Sequence, residues 1–108
     1  MASRTAPLNE IRLSQNLQQA VQVECPHDIL VRLQHFLISR GFRCQVARII
    51  GLRSQNTRSI VSFEIEKSTL EEAKYAVRIF LSVTKLKFVE RSDETETVFR
   101  LASKALGR

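Results

Sequence analysis

Tryptophan is absent from this chain, tyrosine occurs once, glycine three times, and proline and cysteine twice each. Each scarcity excludes something. So few glycines and prolines argue against a long flexible linker or a low-complexity region. Gly41, Gly51 and Gly107 are isolated from one another, so no glycine-rich loop is available to cradle a phosphate. Cys25 and Cys44 could form one disulfide at most, and the opening MASRTAPLNE lacks the apolar core of a secretory signal. Both thiols are therefore expected to be reduced, in a protein that stays inside the cell, cytoplasmic or nuclear and not secreted. No apolar run approaches the roughly 18 residues that span a bilayer.

The most informative scarcity is local. Between Ile29 and Phe63 there is no acidic residue, while six arginines, Arg32, Arg40, Arg43, Arg48, Arg53 and Arg58, fall in the same stretch. The whole chain carries 17 Lys plus Arg against 11 Asp plus Glu, a formal charge of +6. Removing those six arginines leaves equal numbers of each sign, so the entire net charge sits in one third of the chain. At 108 residues, 44% hydrophobic and 26% charged, the composition is that of one small globular domain.

Residues 1–18 scatter Leu8, Ile11, Leu13 and Leu17 among polar neighbours, which predicts a mostly disordered segment with at most a turn of helix; residues 19–108 form a single α+β domain. Val21, Val23 and Cys25 alternate with Gln22 and Glu24, the period of a half-buried strand that Pro26 stops. From Asp28, a suitable N-cap, Ile29, Leu30, Leu33, Phe36 and Leu37 share one helical face, and Gly41 ends the helix. Phe42, Cys44 and Val46 then alternate as a strand, with a phase slip at Ile49-Ile50-Gly51 that marks a bulge. The turn residues of SQNT lead into a strand with Val61, Phe63 and Ile65 inward, so that RCQVARIIGLRSQNTRSIVSFEIE is a hairpin with Arg53 and Arg58 at its tip.

In residues 68–84, Tyr75, Val77, Ile79, Leu81 and Val83 alternate as in a strand, but Ser68 with Glu71, or Thr69 with Glu72, makes a capping box and favours helix. KLKFVER is a further strand. TVFRLASKALG suits either a final helix or the return arm of a hairpin, and Asp93 with Glu96 as a capping pair favours the helix. The resulting order is that of a ferredoxin-like βαββαβ unit, an antiparallel sheet with helices on one face, plus a C-terminal helix or hairpin.

Two partial resemblances accompany this pattern. VECPHDILVRLQHFLISRGF resembles the first strand and helix of ACT-type regulatory domains, which implies an amino-acid effector at the helix start with Asp28 as the matching acid; the glycine-rich effector turn of that family is missing here. SIVSFEIE together with ERSDETETVFRLASKAL resembles the end of kinase-associated C-terminal domains, which implies docking on acidic phospholipid and on kinase catalytic domains. A helix over 68–84 does not suit that second topology, and neither resemblance identifies the chain.

Catalytic chemistry is thin. Cys25, His27, His35 and Cys44 are zinc-ligand types without a CxxC knuckle, and a Cys25–His27 pair straddles Pro26, where the strand ends. Glu71 and Glu72 suit a helix N-terminus better than paired acid–base work. The expectation is a non-enzymatic module with no cofactor and no metal. Arginine outnumbers lysine twelve to five, and guanidinium forks suit phosphate, so the six arginines are the candidate contacts to nucleic acid, RNA or DNA, in a nucleoprotein complex. Phe42, Phe63 and Phe88 fall on the inward phase, which leaves the open sheet face without aromatics for base stacking. A protein partner or homo-oligomer, in a protein-interaction or regulatory role, is the alternative; an acidic membrane surface is the third partner class.

Overall fold

The computed structural model describes residues 9–16, 19–52 and 59–101. In chain order these form β1 (Glu10–Gln15), β2 (Val21–Pro26), α1 (His27–Ser39), β3 (Arg43–Cys44), β4 (Arg48–Leu52), β5 (Ser59–Glu66), α2 (Leu70–Val83), β6 (Phe88–Ser92) and β7 (Glu96–Leu101). The strands make one antiparallel sheet in the order β3-β5-β2-β1-β7-β6, with β4 also paired to β5. Because β2 occupies the other side of β5 over residues 60–65, β3 and β4 must lie end to end along a single edge. The seven strand segments therefore fill six positions. Both helices cover the same face of the sheet.

Alternation decides which face that is. Ile11 and Leu13 of β1, Val21, Val23 and Cys25 of β2, Val61, Phe63 and Ile65 of β5, and Phe99 and Leu101 of β7 are all buried. They meet Ile29, Leu33 and Leu37 of α1 and Leu70, Ala73, Val77, Phe80 and Leu81 of α2. Phe36 and Phe80 hold the two helices together with ring centroids 5.6 Å apart, within the range of a favourable tilted pair.

Each helix is terminated by local chemistry. At the end of α1, Gly41 takes φ +96°, its N–H donates to Ile38 O and that of Phe42 to Leu37 O, each at 3.0 Å. This double closure requires the left-handed backbone that glycine adopts without penalty. At the start of α2, Thr69 Oγ1 accepts from Glu72 N at 3.1 Å while Glu72 accepts from Thr69 N at 3.2 Å, the reciprocal capping box. Gln15 of β1 adds a third tie, its Oε1 accepting from Leu70 N at 2.8 Å and its Nε2 donating to Ser68 O at 3.2 Å.

Several sequence expectations change here. Residues 10–15 are not part of a structureless segment but a central strand, hydrogen-bonded to β2 on one side and to β7 on the other. Two apolar residues at period two, Ile11 and Leu13, suffice because both are wholly buried. The C-terminal stretch is the hairpin's return arm, not a helix: Thr97, Phe99 and Leu101 point inward, and Asp93, expected to cap a helix, instead closes the turn by accepting from the N–H groups of Thr95 at 2.9 Å and Glu96 at 3.0 Å. The N-cap of α1 is Pro26, with Asp28 inside the first turn. The α+β antiparallel architecture stands, but its strand order is not the ferredoxin-like one: the place beside β2 that such a unit gives to the strand after α2 belongs to β1, and that strand, β6, is pushed to the edge behind β7. The expected bulge is present as a register shift between Ile49 and Gly51.

Candidate nucleic-acid interface

The six arginines separate. Arg32 and Arg40 are exposed on α1 and just beyond its end, whereas Arg43 and Arg48 are exposed on the sheet edge. Arg43 stands opposite Glu66 and Arg48 opposite Ser62, which puts both on the face that the helices leave bare. Arg53 and Arg58, expected at the hairpin tip, lie outside the described residues. Eight residues of helix rise about 12 Å, so Arg32 stands well back from Arg40 along α1.

Elsewhere on the bare face the positive charge of β1 and β7 is already matched. Glu10, 6% exposed, lies 3.3 Å from Arg12 and 3.5 Å from Arg100, and Arg12 also approaches Glu96 at 3.8 Å. Glu24, opposite Arg12 in the β1–β2 register, continues the alternation of sign. This surface shows no exposed aromatic ring among the described residues, in agreement with the inward phase of Phe63 and Phe88. It offers neither a stacking platform nor a net positive field.

Three cations from different parts of the chain meet at a corner instead. A cleft of about 500 Å³ opens between the end of α1, the start of β3, the turn from β5 into α2 and the first half of α2. Arg40, Arg43 and Lys67 line it, together with Glu66, Glu72, Tyr75, Phe42 and Ala76. Among the described residues neither Arg40 nor Lys67 makes an ion pair. Arg40 lies over the ring of Phe36, 5.3 Å from its centroid, which orients the guanidinium without consuming its donors. Arg43 reaches Glu66 only at 4.0 Å and is 76% exposed, a distance and exposure at which such a pair contributes little.

Both acids at the cleft have other duties. Glu66 Oε2 accepts from Gln45 Nε2 at 3.0 Å, and Glu72 holds the backbone N–H of Thr69 in the capping box. In the first turn of α2 the N–H groups of Thr69, Leu70 and Glu72 are already taken by side chains. Binding of an anion here depends on the side-chain cations.

Sequence reasoning found Arg40 and Arg43 but missed Lys67 and Tyr75. Lys67 is flanked by Glu66 and by the acids of α2, and so falls outside the acid-free stretch. Its one local signal is its position two residues before the capping box, where the chain must reverse; it does so with Lys67 at φ 51°, a left-handed conformation that side chains resist. Tyr75 is 61% exposed on the outer side of α2, as the helical reading of 68–84 requires.

The cysteines and histidines do not assemble. Cys25 is buried in the core and Cys44 half-buried at the edge, and they are not bonded to each other. Burial pushes the Cys25 thiol up to about 12 and that of Cys44 up to about 11, which disfavours the thiolate needed of a nucleophile or metal ligand. His27 and His35 are exposed on α1. Among the described residues no group of three or more His, Cys, Asp or Glu side chains could hold a metal ion, and no helix is long and apolar enough to cross a membrane.

Fold and site together describe a two-layer α+β protein with a cationic corner cleft. Compared with protein-family models, curated proteins and solved structures, the chain matches none of them.

Proposed function

We propose that this protein is a non-enzymatic binding module that holds nucleic-acid phosphate at the Arg40–Arg43–Lys67 corner, as one component of a nucleoprotein complex. The observation that supports the reading most directly is the meeting of three cations from three separate elements around one open cleft, two of them without an acidic partner and the third weakly paired. Guanidinium groups donate to phosphate oxygens in pairs, and every phosphate neutralised releases condensed counterions. Arg48 lies further along the same sheet edge and Arg32 further back on α1, positions that a phosphate backbone leaving the cleft in either direction would pass. The matched charges of the bare sheet face argue against a broad electrostatic footprint there.

A protein-interaction role is the second reading. Val31 and Ile38, 60% and 54% exposed on the outward side of α1, are apolar surface that phosphate binding does not use.

The test is titration of the wild type and of the Arg40→Ala/Arg43→Ala/Lys67→Ala variant against RNA, DNA and acidic liposomes at several salt concentrations. The wild type should bind nucleic acid with a strong salt dependence. The variant should weaken binding and lower the log–log slope by about two to three, since each lost phosphate contact removes about 0.7 to 0.9. Equal slopes for the two proteins, or no nucleic-acid binding at low salt, would exclude the reading. Binding confined to liposomes would replace it with a membrane function.

A further inference from the structure

We infer that the corner cleft takes a single-stranded nucleotide, its phosphate among Arg40, Arg43 and Lys67 and its base stacked on Tyr75. The inference rests on the phosphate reading above and adds what that reading leaves open, namely which form of nucleic acid the site accepts.

Charge alone would suit a duplex, a single strand or any polyanion equally. The walls of the cleft are more selective. Tyr75 lines the cleft while 61% exposed, and it lies off the core-facing side of α2, which is carried by Leu70, Ala73, Val77, Phe80 and Leu81. Ala76, next to Tyr75, and half-buried Phe42 add apolar lining. A volume of about 500 Å³ falls within the range of roughly 300–1,000 Å³ typical of small-ligand pockets. Cations for a backbone beside an exposed aromatic for a base are the two parts from which single-strand sites are built. A base inside a duplex is already stacked on both faces and cannot offer one to Tyr75, so a duplex could use only the cations.

Composition makes this directly observable. The chain has one tyrosine and no tryptophan, so its intrinsic emission reports on Tyr75 alone. The experiment follows tyrosine emission while full-length protein is titrated with a single-stranded homopolymer oligonucleotide, with a duplex of equal length and with inorganic polyphosphate. Affinities are measured in parallel by anisotropy of end-labelled strands for wild type, Tyr75→Phe and Tyr75→Ala. The single strand should quench the emission, whereas duplex and polyphosphate should leave it unchanged. Tyr75→Phe should bind the single strand as the wild type does, and Tyr75→Ala should lose about fivefold or more in affinity, the lower end of what one base–aromatic stack is worth. Thermal melting of Tyr75→Ala, expected near that of the wild type for so exposed a side chain, separates lost stacking from lost fold. If single strands bind with unchanged emission and Tyr75→Ala binds equally well, base stacking is wrong while phosphate binding stands. If none of the three polyanions binds, the phosphate reading falls and this inference falls with it.

Discussion

At the scale of single residues, the shortest ion pair among the described residues joins Arg78 to Glu90. Nε donates to Oε1 at 2.9 Å and the second guanidinium nitrogen to Oε2 at 2.7 Å, a two-point, charge-assisted contact that fastens α2 to β6. The hydrogen bond from Arg78 holds the Glu90 carboxyl below its usual range, outweighing the upward push of desolvation. A carboxyl whose pKa is lower in the folded than in the unfolded chain contributes stability above its ordinary value and loses that contribution as pH falls through the lowered one. With Arg78 about two-fifths exposed and Glu90 about one-fifth, solvent screening limits the pair to about 1 kcal/mol. Arg78→Gln should therefore be less stable than the wild type by about that much at neutral pH, and the gap should close on acidification below the ordinary carboxylate range. Urea unfolding over a pH series checks this; a gap that stays constant with pH would mean that the ion pair contributes nothing and only packing was lost.

At the scale of elements, β1 and β7 carry the largest departures from local reasoning. β1 offers only Ile11 and Leu13 as apolar residues, too few to announce a strand, yet it supplies the centre of the sheet and, through Gln15, an added tie at the start of α2. Leu13, fully buried, should cost about 2 to 5 kcal/mol when changed to Ala, as a core leucine does. Chemical denaturation of Leu13→Ala measures it, and a loss within the roughly 0.5 kcal/mol typical of surface sites would detach β1 from the fold. The competing readings of the C-terminal stretch were settled by partners. Val98, Leu101 and Ala102 are spaced for a helix and Thr97, Phe99 and Leu101 for a strand, and the unpaired edge of β1 is satisfied only by the second arrangement. Phe99 then meets Phe88 with centroids 5.5 Å apart, a contact between β7 and β6 that a helix would have forgone.

At the scale of the molecule, charge position matters more than charge total. The described structure extends 36 × 28 × 26 Å, whereas exposed charges are screened beyond about 8 Å at physiological ionic strength. Lys67 precedes α2 and Lys85 and Lys87 follow it, and the fourteen residues of that helix rise about 21 Å. Its two ends should act independently. Lys85→Ala/Lys87→Ala should leave the salt slope of nucleic-acid binding unchanged, while removing Lys67, Arg40 and Arg43 lowers it. Equal effects from the two variants would indicate nonspecific attraction by the net charge, with no site at the cleft.

What the sequence by itself determined was whatever depends on neighbours a few positions apart. The capping box at Thr69 and Glu72, the glycine closure at Gly41, the inward phase of Val61, Phe63 and Ile65, and the bulge before Gly51 follow from steric limits and hydrogen-bond needs within one or two turns of chain. The concentration of arginine was legible in the same way, as composition. The strand order and the gathering of Arg40, Arg43, Lys67 and Tyr75 at one corner, apart from Arg48 and Arg32, were decided only by the tertiary structure. Hydrogen bonding across a sheet is set by which distant strands bury complementary faces, and a helix end, an edge strand and a turn meet only after that pairing has formed. The physical reason is that alternation tells a residue which side of its strand it occupies, but carries no information about which strand lies beside it.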